Sequence, residues 1–314
     1  MVVRGPDDGS DSDEIVGLAS VADELGYREL WIGEGPIWDA FALATAVGSA
    51  TRSASLTVGP VAVSVRDPAT ISRGAASVAR LTGRKVGVAL GTASVRVVEK
   101  LHGRSRRRSV TDLRESAQAI RGLVDTPADR LHSGDPDAEF LSRLAAPNGP
   151  LTVAAFGDRA IQVAADYADR MLLDLVTPEQ VIALRSRLEA AVGSNAPPSL
   201  AAWLPAVVEP SAEALQQVKA DIAGYLTVGG YREMFIAAGF EEAVARADSG
   251  ADVGELIESL PVEAPAIVGL VGDESDVGER LQAYADAGLD EVAVVPVRTG
   301  PDGQRTLRAL RSLV

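Results

Sequence analysis

Cysteine is absent from this 314-residue chain, which excludes a disulfide framework, a thiolate nucleophile and a zinc ribbon. Histidine is scarce: His102 and His132 are the two present. Neither an H-E-x-x-H motif nor a paired-carboxylate spacing accompanies them, so no metal site is expected. Aromatic residues make up only 4% of the chain against 46% apolar residues, so the core must be built from Ala, Val and Leu. Apolar runs reach about ten residues, against the ~20 needed to cross a bilayer. The opening Met1-Val2-Val3-Arg4-Gly5-Pro6 lacks the apolar stretch of a signal peptide. Positive charge is in deficit, 30 Lys and Arg against 44 Asp and Glu for a net −14. That balance argues against nucleic acid or an anionic membrane as partner. The expectation is a cytoplasmic protein that acts on a small molecule.

What is present is a regular alternation of strand and helix patterns. Apolar strands are expected at 2–3, 29–33, 56–63, 85–90, 151–155, 170–175, 200–208 and 291–297. Between them run helical periods, such as Ile15, Leu18, Ala19, Ala22 and Leu25, and the helix that Pro68 starts. Eight strands, each with its helix and no hairpin between neighbours, are most simply closed as an α/β fold, a (β/α)8 TIM barrel. The length suits a single domain over 1–314. Irregular insertions are expected near 125–150, rich in Pro, Gly and Asp, and near 225–260, the latter within a long helical region from Ser211 to about Leu260 that breaks at Gly229-Gly230 and near Gly239. An open doubly wound sheet would call for G-x-G-x-x-G after its first strand, and that turn is missing.

In a parallel barrel the chemistry sits at the carboxyl ends of the strands. Thr92 and Ser94 follow the fourth strand directly; their hydroxyls suit a ligand, and equally a tight turn. Phe156-Gly157-Asp158-Arg159 joins the fifth strand to a helix whose first N–H groups would attract an anion. Gly157 allows close backbone approach and Arg159 adds a charge-assisted donor. Asp158 reads equally well as a helix N-cap, and its charge opposes an anion. Arg104, Arg106, Arg107 and Arg108 form the one strong basic cluster, read as a solvated helix start. Trp31 is expected between helices and strands, and Trp38 over a cleft or in the core.

Five segments, ELGYRELWIGEG (24–35), SVRDPATISRGAASVARLTGRKVGVALG (64–91), EKLHGR (99–104), LTVAAFGDRAIQVAADYADRMLLDL (151–175) and AYADAGLDEVAVVPV (283–297), resemble the luciferase-like monooxygenase family. They are most similar to its coenzyme F420-dependent oxidoreductase branch. The resemblance implies a barrel that binds F420 or FMN at the strand ends, the cofactor phosphate against the loop after the fifth strand, and a homodimer. It implies Glu34 as the catalytic, proton-handling residue. Val63, Thr92, Ser94, Phe156, Gly157, Asp158 and Arg159 would bind the cofactor, with Trp38 and Arg66 in the substrate pocket. Two positions depart from the family pattern: Gly35 and Asp67 stand where relatives commonly have histidine. The implied activity is hydride transfer between F420 and a small organic substrate. An FMN-dependent monooxygenase is the flavin alternative, and a degenerate barrel serving as a binding or structural homodimer is the third.

Overall fold

The computed structural model describes residues 1–4, 13–125, 148–297 and 300–313. The chain divides into two compact units, Met1–Met171 with Ser194–Pro198, and Leu172–Gly193 with Ser199–Val314.

The first unit alternates β1 (Val2–Arg4), α1 (Asp13–Glu24), β2 (Glu29–Gly33), α2 (Ala40–Ala50), β3 (Ser55–Ala62), α3 (Pro68–Thr82), β4 (Val86–Gly91), α4 (Ser109–Asp125), β5 (Asn148–Ala154) and α5 (Asp158–Tyr167). β1 to β5 pair in sequence order and are all parallel. Every residue of β4 is buried, as expected of a strand covered on both faces. Local chemistry sets the helix ends. The Asp39 carboxylate accepts from the Phe41 and Ala42 N–H groups, so α2 starts at Ala40 rather than at Ile37 as the apolar pattern suggests. Asp67 caps α3, Pro68 follows at the first helical position, and Gly83 ends the helix in the left-handed region at φ 69°. The Asp at the position where a histidine was expected is thus a helix cap. Hydrogen bonds from the Thr70 hydroxyl and N–H hold its carboxyl below the usual carboxylate range.

β3 carries a bulge, since Val58 pairs with Val88 and Val61 with Leu90. One extra residue there re-aims the strand's carboxyl end. Gly59 makes the bulge feasible: its φ is +120°, and a Cβ would lie 2.3 Å from the Ala89 carbonyl oxygen.

The amino-terminal ends of the strands hold a buried ion pair. Arg170, the first residue of β6 (Arg170–Asp174), donates from Nη1 to Glu29 Oε2 at 2.8 Å and from Nη2 to Glu29 Oε1 at 2.9 Å. It also reaches Thr57 Oγ1 and Thr152 Oγ1, both at 3.2 Å. One side chain thereby touches β2, β3 and β5, which requires the sheet of this unit to curl around it. Its guanidinium lies 4.1 Å from the centre of the Trp31 ring, a cation–π contact. Trp31 therefore faces this polar layer inside the curl, not the helix layer expected for it. Successive strand residues face opposite ways, and Glu29 and Trp31 share the inner face.

Asp23 of α1 fastens the chain before β3. Its carboxylate accepts from the N–H groups of Arg52, Ser53 and Ala54 at 2.6, 3.0 and 2.7 Å, and from the Ser53 hydroxyl at 2.8 Å. Burial favours the neutral acid, but these donors outweigh it and bring the pKa down to about 2. A pKa lowered on folding stabilises above the unfolded value near 3.8, and that stability is lost as pH falls toward 2. Asp23→Ala should cost about 2 kcal/mol at pH 7. Urea unfolding should show the gap between variant and parent closing below pH 4.

In the second unit β7 (Ser199–Val208) pairs in parallel with β8 (Leu270–Gly272) and β9 (Glu291–Pro296). β9 is the last strand that the apolar pattern indicates, while β8 lies outside the eight expected. The helices of this unit are α6 (Pro178–Val192), α7 (Ala212–Tyr225), α8 (Arg232–Ala237), α9 (Glu241–Asp248), α10 (Val253–Ser259), α11 (Ala264–Ile267), α12 (Glu274–Asp286) and α13 (Gly300–Leu313). The insertion near 225–260 is a packed group of short helices, in keeping with the interrupted helical region expected there. Gly230 and Gly239, at φ 103° and 89°, break it where the sequence suggests. Phe235 and Phe240 are fully buried, their rings 5.7 Å apart, each contributing about 2–3 kcal/mol by burial. Most of the insertion near 125–150 (residues 126–147), and with it His132, lies outside the described residues.

Candidate active site

Because β2 to β5 are parallel neighbours, the residues that follow them share one edge of the first unit. Glu34 leaves β2, Val63 and Arg66 leave β3, Thr92 and Ser94 leave β4, and Phe156 to Arg159 leave β5.

Glu34 is held in place. Arg66 Nε donates to Glu34 Oε1 at 2.7 Å, and Nη2 lies 2.6 Å from the same oxygen. Glu34 Oε2 receives a longer bond from the Ala62 N–H, 3.2 Å. Arg66 Nη2 also donates to Asp39 Oδ2 at 2.7 Å, and the guanidinium sits 5.5 Å from the Phe41 ring centre. Burial works against charge on Arg66 and on Asp39. Their contact outweighs it, with help from Glu34 on one side and the Ala42 N–H on the other. The Arg66 pKa is raised and the Asp39 pKa lowered from their ordinary values. Glu34 is therefore the ion-paired loop carboxylate, with Oε2 its less engaged oxygen.

The two hydroxyls after β4 separate in role. Ser94 Oγ accepts from the Val97 N–H at 3.2 Å and starts the π-helical turn Arg96–Leu101. Thr92 Oγ1 accepts from Arg106 Nη2 at 3.2 Å, and Arg106 Nε donates to the Ala93 carbonyl at 2.8 Å. Arg106 is half-buried while Arg104, Arg107 and Arg108 are exposed, so one member of the basic cluster turns inward. The Val63 N–H donates to the Gly91 carbonyl at 3.1 Å, and Ser64 Oγ bonds Asp112 Oδ2 of α4 at 3.1 Å. Trp38, in the loop before α2, is half-buried, and its indole N–H is buried without a hydrogen-bond partner among the described residues.

At the end of β5, Phe156 is half-buried and Gly157, Asp158 and Arg159 are exposed. The N-cap of α5 is Gly157, with no side-chain cap bond. Asp158 is thus the first helical residue and not the cap that its residue type suggests. A Cβ on Gly157 would meet nothing within 4 Å, so a ligand could approach the backbone at this residue closely. His102 is exposed, outside this group. Residue-level reasoning misses Asp39, Arg106 and Asp112. Asp39 carried a readable cap signal, an Asp before a helical period. No local pattern joins Arg106 to Thr92 or Asp112 to Ser64.

The sequence matches the luciferase-like monooxygenase family over residues 2–291. Comparison with curated proteins gives no significant match. Among solved structures, the coenzyme F420-dependent tetrahydromethanopterin reductase of Methanopyrus kandleri is similar at a TM-score of 0.77 and 16% identity, covering 100% of this chain and 97% of its own. An F420-dependent secondary alcohol dehydrogenase in complex with an F420–acetone adduct is similar at 0.75 and 14% identity, covering 100% and 96%. The oxygenating constituent of a 3,6-diketocamphane monooxygenase of Pseudomonas putida, in complex with FMN, is similar at 0.66 and 13% identity, covering 98% and 94%. No helix among the described residues is long and apolar enough to cross a membrane. With a match that runs through nearly every element described above, the chain belongs to the luciferase-like monooxygenase family, and its fold class is the α/β TIM barrel of that family.

Proposed function

We propose that the protein is an oxidoreductase that moves hydride between bound coenzyme F420 and a small organic substrate. The observation that carries this reading is the exposed glycine at the start of α5. α2 and α3, which follow β2 and β3, are closed by Asp39 and Asp67. α5 follows β5 with glycine at its cap, exposed and without a Cβ to crowd an approaching group. Such a helix start, with the exposed Arg159 beside it, suits the phosphate of a nucleotide-like cofactor. Trp38 gives a second indication of fit, since a buried indole N–H without a partner among the described residues favours a ligand acceptor. The two F420-dependent neighbours match this chain at higher TM-scores than the FMN-bound one, which favours the deazaflavin.

F420, when bound, supplies the ring carbon that accepts or releases hydride, and the protein supplies position and electrostatics. Val63 and Phe156 offer apolar surface beside the strand ends. Thr92, Gly157 and Arg159 present donors to the polar parts of the cofactor, while Ser94 shapes its loop. Asp158, exposed at the first helical position, borders the anion seat that the backbone supplies. Arg66 and Trp38 border the substrate, and Glu34 Oε2 takes up or returns the proton that accompanies hydride transfer.

Titration of the purified protein with F420 and, separately, with FMN tests the reading through ring fluorescence and absorbance. F420 should bind saturably and FMN at least about tenfold more weakly, a discrimination of ~1.4 kcal/mol. The reverse order would make the protein an FMN enzyme. Folded protein that binds neither would leave it a barrel without redox chemistry.

A further inference from the structure

The loop after β4 is held from outside by one side chain. Ala93 lies at φ 52°, a left-handed conformation that non-glycine residues seldom adopt and that persists where neighbours enforce it. Arg106 enforces it with a two-point grip: Nε on the Ala93 carbonyl at 2.8 Å and Nη2 on Thr92 Oγ1 at 3.2 Å. Arg106 is itself anchored, its N–H donating to Glu99 Oε1 at 3.3 Å. The chain returns to this position through the π-helical turn. That turn closes with the His102 N–H on the Val97 carbonyl at 3.3 Å and reverses at Gly103, φ 61°.

The consequence concerns the direction of the Thr92 hydroxyl. A hydroxyl oxygen that accepts from a guanidinium must turn its own hydrogen away from that cation. The charge also polarises the O–H bond, which strengthens the hydroxyl as a donor. Ser94 differs from Thr92 in that its oxygen accepts from an uncharged donor, the Val97 N–H, which polarises its O–H less than a guanidinium does. We propose that Arg106 is a positioning residue that presents Thr92 as a hydrogen-bond donor to an acceptor oxygen of the cofactor, a ring carbonyl or a phosphate. The inference rests on the cofactor reading above and adds to it a residue outside the strand ends.

A double-mutant cycle in cofactor binding tests it, read by fluorescence titration with F420 on protein of confirmed thermal unfolding midpoint. Thr92→Val and Arg106→Ala should each weaken binding about tenfold, as for loss of one charge-assisted hydrogen bond. The double variant should be no more than about twofold weaker than either single one, because both remove the same donor. Arg106→Lys should not restore binding, since an ammonium lacks the planar fork that spans two acceptors. If the alanine variant does not fold, Arg106→Gln takes its place in the cycle. The phosphate-free deazariboflavin locates the acceptor: a loss that persists with it assigns the ring carbonyl, and a loss seen only with F420 assigns the phosphate. Multiplying single effects, about a hundredfold in the double variant, would overturn the proposal while leaving the cofactor reading intact. Wild-type affinity in folded Arg106→Ala would do the same. A wild-type protein that binds neither F420 nor FMN would overturn both.

Discussion

Replacing Arg170 with methionine should lower stability by about 3–5 kcal/mol at neutral pH, the cost of leaving a buried carboxylate without its cation. The Arg170 side chain is 4% exposed and that of Glu29 20%. Burial alone favours the neutral acid of Glu29. The Arg170 and Thr57 contacts outweigh it and hold the pKa below the ordinary 4.5. A folded pKa below the unfolded one stabilises at and above pH 4.5, and the contribution fades as pH falls through the folded value. In Arg170→Met the sign reverses, because an unpaired buried carboxyl favours its protonated form. The deficit of the variant should therefore shrink between pH 7 and pH 4, as read from urea midpoints at both. The double variant Arg170→Met with Glu29→Leu should recover much of the loss, since apolar replacement of a whole buried pair is often close to neutral. Equal midpoints for Arg170→Met and the parent at pH 7 would refute the assignment. These residues lie at the amino-terminal ends of the strands, the end that carries stability in a parallel barrel. F420 affinity should survive the change in folded protein.

The sequence disclosed much of this fold because its punctuation is chemical. Pro68 stands at the first residue of a helix, where the pattern puts it, and Pro178 occupies the same position in α6. Short apolar runs such as Val86–Gly91 are strands because they are too short for a buried helix and are bounded by turn residues. β8 is not legible in the sequence because three residues that follow Gly269 and end at Gly272 carry no period. The facing of Trp31 is not legible either, because alternation allows two registers. What chooses between them is Arg170, far along the chain from Trp31 and brought to it only by folding. The site divides in the same way. Strand-end positions such as Glu34, Thr92 and Gly157 follow from chain order and resemblance. Their partners do not: Arg66 meets Glu34 across 32 positions and Arg106 meets Thr92 across 14. No helical or strand period links residues so spaced.

Glu34→Gln should slow turnover about a hundredfold if Oε2 handles the proton in hydride transfer, the usual scale for loss of a general acid or base. Size and shape are nearly preserved, so cofactor affinity should stay within about twofold of the parent, a difference below about 0.5 kcal/mol. Two roles of this carboxylate must be told apart, proton transfer and the orientation of Arg66, because the glutamine removes the ion pair along with the charge. Arg66→Met separates them: it abolishes the ion pair but leaves a carboxylate beside the Ala62 N–H. If Glu34 acts through its proton, the pH–rate profile of Glu34→Gln loses the limb that belongs to this group, while Arg66→Met keeps it. If Glu34 only orients Arg66, the two variants should show the same rate loss and the same profile. Turnover of Glu34→Gln equal to that of the parent would remove the residue from the chemistry. The edge formed by β2 to β5 would then act on the substrate through position alone, as hydride transfer, needing no nucleophile from the protein, permits.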